Sequence, residues 1–175
     1  MNLVKKDELT TKIGKPSVWT PKRVVDVCEY VAGIEDLDDL IGAQNFLKVK
    51  PIINFEVYPE GLGLTIMHNF KMHHAGIKND QIKSIAFERG SVIATENKSV
   101  IGRAIVGGLL LGPLGAVIGG LSGVGSNTLK DHDKLIIIVD IDGTEQAILF
   151  DVKKGRESGV IQFFKQHFRD KFSIA

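Results

Sequence analysis

KLIIIVDIDGTEQAILFDV, residues 134–152, is the stretch on which the fold turns. Its first part is an apolar, mostly β-branched run, which predicts a strand buried on both faces. Asp142-Gly143 is a favoured two-residue turn. TEQAILFDV (144–152) is then the returning strand of an antiparallel hairpin. Downstream, Val160, Ile161, Phe164, Phe168 and Phe172 recur at helical spacing, with Lys165, Gln166, Arg169 and Asp170 on the other side. A helix with such a stripe must bury it, and the preceding antiparallel sheet is the obvious partner.

Upstream of the hairpin lies VIGRAIVGGLLLGPLGAVIGGLSGVG, from Val100 to Gly125, with Arg103 as its one charge. Gly108, Gly112, Gly115 and Gly119 would share one helix face, and Leu111, Leu114, Ile118 and Leu121 another. Small residues at this spacing let two helix backbones approach closely. The cost is high: each interior glycine disfavours helix by about 1 kcal/mol against alanine, and a proline such as Pro113 by roughly 3 kcal/mol. Water alone would not support this helix, so packing or lipid must. A spanning helix needs about 20 apolar residues, and Gly112-Pro113 cuts the run into halves too short to span. We therefore expect a helical hairpin over 98–128. Three readings compete for it: self-association or membrane contact through the glycine face, burial on its own domain, and a flexible glycine-rich loop.

Before the insert the period is that of strands. FLKVKPIINFEVY (46–58) is extended, and Pro59-Glu60-Gly61 turns the chain. LGLTIMHNF (62–70) alternates Leu62, Leu64, Ile66 and His68 against Thr65, Met67 and Asn69. KMHHAGI is a short strand or turn, and QIKSIAFE (81–88) and SVIATE (91–96) are further strands. At the start, residues 1–17 form a charged, partly mobile tail. Thr20-Pro21 reads as a helix start, with Val24, Val27, Cys28 and Val31 at helical spacing and Gly33 as a stop. Ile34 to Gly42 is a second short helix with Leu37, Leu40 and Ile41 on one side.

The order of GLGLTIMHNF, IKNDQIKSIAFERGSVI, KLIIIVDIDGTEQAILFDV and ESGVIQFFKQHFRDKF resembles the pleckstrin-homology-like (PH-like) fold. More specifically, it resembles bacterial PH-like domain proteins that carry a glycine-rich apolar insert such as GRAIVGGLLLGPLGAVIGG between the fifth and sixth strands. The resemblance implies an α+β, mostly β chain: an antiparallel barrel or sandwich of about seven strands with a C-terminal capping helix. Residues 1–45 would be a tail and N-terminal helical extension, and 46–175 the PH-like domain, interrupted by the insert. Families with this fold mostly bind lipids, peptides or proteins, although fold does not fix function. Phosphoinositide-binding members resemble one another in a basic loop between the first two strands. Here that loop is read as Tyr58-Pro59-Glu60-Gly61, which has an acid and no base.

Composition adds limits. Charged residues are 25%, hydrophobic residues 43% and the net charge +1, ordinary for a folded soluble protein and without a global pull on nucleic acid. The lone Cys28 excludes an intramolecular disulfide and fits a reducing compartment. MNLVKKDELTTKIGK has no signal-peptide core, so a cytoplasmic location is expected, peripheral to or inserted in the inner membrane if the insert meets lipid.

No catalytic signature stands out. His73-His74 are adjacent, so on a strand they face opposite ways, and with His68 they lack acids or cysteines at ligand spacing. Asp131-His132-Asp133 reads as a solvated linker. GLSGVGSNTLK lacks the Lys-Ser/Thr ending of a phosphate loop, and Gly120-Leu121-Ser122-Gly123-Val124 lacks the last glycine of a nucleophile elbow. Cys28 is read as core. Lys153, Lys154, Arg156, Lys165, Arg169 and Lys171 are interleaved with acids, as on a solvated face. The expectation is a non-enzymatic interaction protein without metal or cofactor. Its insert, through Gly108, Gly112, Gly115, Gly119, Leu111, Leu114, Ile118 and Leu121, would mediate self-association or membrane contact. The alternatives are a soluble adaptor for a protein or peptide, with the insert buried, and a barrel that binds a small ligand.

Overall fold

The computed structural model describes residues 2–17, 22–43, 50–90 and 132–174. Among them are three helices, α1 (Lys6–Ile13), α2 (Glu35–Ala43) and α3 (Glu157–His167). The strands are β1 (Arg23–Ala32), β2 (Ile52–Tyr58), β3 (Gly61–His68), β4 (Lys71–Lys78), β5 (Ile82–Glu88), β6 (Lys134–Ile141), β7 (Thr144–Val152) and β8 (Phe172–Ile174). They form one unclosed sheet in the order β4-β3-β2-β1-β7-β6-β5-β8, in which only the β5–β8 pair is parallel.

The decisive hairpin forms as read. β6 pairs with β7 from Lys134↔Asp151 to Ile141↔Thr144, and Asp142 and Gly143 turn the chain at φ 53° and 82°. Leu135, Ile136, Ile137 and Val139 are all buried, so β6 is covered on both faces. β3 keeps its alternation, with Leu62, Leu64, Ile66 and His68 buried and Met67 exposed. KMHHAGI is a strand, paired along its whole length with β3. SVIATE and the insert lie outside the described residues.

Three expectations need correction. The first helix of the expected N-terminal extension is strand β1. A bulge explains the misreading: Asp26 sits at φ 52° and the pairing with β2 shifts between Val24 and Cys28. The step from Val24 to Cys28 on β1 spans only Phe55 to Ile53 on β2, and Val27 and Cys28 are buried side by side. The apolar positions of a bulged strand then mimic helical spacing. The N-terminal tail is likewise ordered: α1 buries Leu9 and Ile13, and the Val4 N–H donates to the His74 carbonyl on β4 at 2.8 Å. At the other end the helical stripe stops early. Phe168 follows α3, and Phe172 lies in β8 beside Ile85. β1 and β8 were not among the seven strands expected, while SVIATE, which was, lies outside the described residues; eight strands are described.

The helix expected from Ile34 to Gly42 is present as α2, with Leu37 buried and Leu40 and Ile41 packed against the core. It is tied to β1 by Tyr30, whose hydroxyl accepts from the Ile34 N–H at 2.6 Å and donates to Asp38 Oδ1 at 2.8 Å.

One hydrophobic cluster takes side chains from β1 to β7, α2 and α3. Aromatic edges organise it: Phe55 meets Phe150 and Phe164 with ring centroids 5.3 Å apart in each pair. A smaller cluster lies apart, made of Leu9, Ile13 and Tyr58 with Val4. Its floor is nearly bare backbone. Gly63 and Gly76 are paired across β3 and β4, and a Cβ on Gly76 would sit 2.6 Å from Leu9 Cδ1. The missing side chains let α1 lie directly on the sheet.

Candidate interaction site

The expected interaction residues, Gly108, Gly112, Gly115, Gly119, Leu111, Leu114, Ile118 and Leu121, lie outside the described residues. What the structure does describe is the neck that carries the insert. Its described parts are the end of β5 and the start of β6, where Glu88 pairs with Lys134 in register. Asp133 closes the neck: its carboxylate accepts from the Gly90 N–H at 3.0 Å, and its carbonyl from the Val152 N–H at 2.8 Å. Asp133 is therefore a structural tie, and the reading of it as solvated linker is corrected.

Beneath the neck sits a buried ion cluster. Lys134 is 1% exposed. Its ammonium donates to Asp151 Oδ1 at 2.5 Å, while Lys50 donates to Asp151 Oδ2 at 2.6 Å and lies 3.9 Å from Glu29. Burial opposes ionisation of Asp151, but hydrogen bonds from Lys134 and Lys50 outweigh it and hold the carboxyl below the usual carboxylate range. A buried lysine needs a charged, hydrogen-bonded partner to be tolerable. This one fixes the first residue of β6 to the neighbouring strand. The lysine at the head of an apolar run was the sequence signal for it.

Cys28 lies in β1, fully buried. Burial first, and then the nearby Asp151 charge, push its thiol far above the ordinary value. A thiol kept protonated is no nucleophile, which agrees with the core reading. His73 and His74 are half-buried neighbours on β4, and His74 Nδ1 lies 3.3 Å from the Thr65 hydroxyl. Among the described residues no group of three or more histidine, cysteine, aspartate or glutamate side chains converges on one point.

The basic residues divide into engaged and open ones. Lys153 and Arg156 reach Asp26 at 2.5 and 3.8 Å, across from the β1 bulge. The Lys171 ammonium donates to the carbonyls of Asn79 and Ile82, fastening the chain after α3 to the start of β5. Lys165 and Arg169 instead line a shallow groove along α3 with Ile161 and Phe172. β1 also changes which loop joins the first two strands. Tyr58 to Gly61 is the β2–β3 turn, and the connection between the first two strands carries α2, whose first turn holds Glu35, Asp36 and Asp38. Negative charge there still disfavours an anionic headgroup. No described helix is long and apolar enough to cross a membrane.

In comparison with known families, residues 63–150 match the family described as glycine zipper containing PH domain. The matched span runs from the middle of β3 to the middle of β7 and so includes the whole insert. No curated protein matches the chain.

Proposed function

The chain belongs to the glycine zipper containing PH domain family, and from that premise we propose that it is an interaction protein whose PH-like sheet presents the apolar insert to a partner surface. A PH-like domain supports a non-enzymatic, adaptor-type role. The finer reading is ours: the insert mediates self-association or membrane contact through Gly108, Gly112, Gly115 and Gly119, with Leu111, Leu114, Ile118 and Leu121 as its apolar face. The observation that carries it is the neck. Asp133 ties Gly90 to the start of β6, Glu88 pairs with Lys134 across β5 and β6, and Asp151 anchors Lys134 from β7. An apolar excursion anchored this firmly is suited to bearing load at an interface.

The test is vesicle flotation with sedimentation velocity on the intact chain, on Gly112→Leu and Gly115→Leu variants, and on a chain lacking residues 100–126. Loss of flotation or of oligomer in all three variants supports the reading. Unchanged behaviour in all three rejects it. The second reading, a soluble adaptor with the insert folded back, draws on the groove along α3, where Lys165 and Arg169 flank Ile161 and Phe172 and would suit an acidic, partly apolar peptide. Small-ligand binding inside the sheet has no such support, since Phe55, Phe150 and Phe164 fill that space.

A further inference from the structure

The hairpin joining β3 to β4 ends in a tip unlike the rest of the surface. Asn69 and Phe70 are its turn residues, at φ 49° and 61°. Two-residue turns of this kind favour Asn-Gly. Asn69 suits its place, but a bulky residue at positive φ is a genuine outlier. Phe70 is also 104% exposed, so no burial among the described residues offsets the strain. Behind it Met67 and Met72 face each other across the two strands, 46% and 65% exposed. The hairpin, residues 61–78, carries Lys71, Lys78 and three histidines, and no carboxylate. Backbone strain at an exposed apolar residue is a feature that points to function.

We propose that this tip inserts into the interface of an anionic lipid bilayer, with Phe70 entering the acyl boundary, Met67 and Met72 following it, and Lys71 meeting the headgroups. Area decides against a second copy of the chain. Three side chains of this size offer on the order of 400 Å², about half of what each partner buries in a stable complex. A bilayer accepts a small projecting apolar tip without shape complementarity, and basic side chains beside it add attraction to anionic lipid. The proposal rests on the tip alone and is independent of how the insert is used.

The experiment uses the full chain with Phe70→Cys labelled by an environment-sensitive dye; Cys28 is fully buried and stays unlabelled. Vesicles of phosphatidylcholine with phosphatidylglycerol should shift the emission to the blue and shield the dye from an aqueous quencher, more strongly than phosphatidylcholine alone. Phe70→Ser, a surface change whose fold is checked by circular dichroism, should float at least about tenfold less well. An unshifted dye, or undiminished flotation of Phe70→Ser, overturns the proposal, and in that case any flotation belongs to the insert. A blue shift that grows with protein concentration without lipid also overturns it, in favour of a second copy. A shift that persists when residues 100–126 are deleted upholds the tip even where the insert reading fails.

Discussion

Helices α1 and α3 both lie against the same sheet, and the chain seats them by opposite means. α3 brings bulk: Phe164 meets Phe55, Phe163, Phe168 and Phe172 at ring centroids between 5.1 and 6.0 Å, inside the cluster shared by every antiparallel strand. α1 brings two aliphatic side chains, Leu9 and Ile13, to a strip from which side chains have been removed, and its cluster is separate. Packing by mass couples a helix to the whole core. Packing by subtraction gives close contact but few partners. α3 should therefore share the global unfolding transition, and α1 should open locally.

Phe164→Ala gives the largest expected effect, a loss of about 4 kcal/mol in global stability by denaturant unfolding; a loss below about 1 kcal/mol would put α3 in the same class as α1. Asp151→Asn should follow at about 3 kcal/mol, because it leaves Lys134 buried without its counter-charge. This residue also sets a pH dependence. Its folded carboxyl titrates below the unfolded value of about 3.9. The stabilisation is thus complete above about pH 4 and is lost as pH falls through the lower folded value. Unfolding midpoints should drop on the acid side in the wild type and stay flatter in Asp151→Asn.

Leu9→Ala tests the other half of the comparison. Hydrogen exchange should show the α1 amides and the Val4 N–H losing about 2 kcal/mol of protection, while global stability moves by less than about 1 kcal/mol. Equal losses throughout would mean that α1 is part of the main cooperative unit. The smallest effect is expected from Gly76→Ala, about 1 kcal/mol at the α1 seat. The new Cβ clashes with the far end of Leu9, which can swing aside, and makes ordinary contact with Ile13.

The same contrast explains what could be read from the sequence. β3, β6 and β7 were legible because unbroken alternation or a β-branched run survives into the fold, and Asp142-Gly143 announces its own turn. β1 was not, because the bulge around Asp26 buries Val27 beside Cys28 and so breaks the two-residue alternation. Its content of valine and tyrosine was the signal that outweighed the Thr-Pro helix start. α1 was hidden because two buried residues among charges make too thin a stripe, and its real signature sits on β3 and β4, in Gly61, Gly63 and Gly76. Phe168 and Phe172 continued the periodicity of α3 past its end, since nothing in the residues marks the stop after His167. Of the site, the insert's composition was plain from the start. The neck was not, because Lys134 and Asp151 lie far enough apart in sequence that only strand pairing brings them together.

That neck makes the insert a portable cassette. The described chain on either side of it sits on adjacent strands already joined by backbone hydrogen bonds, so a short turn could replace the excursion without re-routing any other described strand. The entropy of closing a loop grows only with the logarithm of its length, about 0.6 kcal/mol for each doubling. Such a base can lengthen, shorten or exchange what it carries at little thermodynamic penalty, while β5 and β6 go on pairing beneath it.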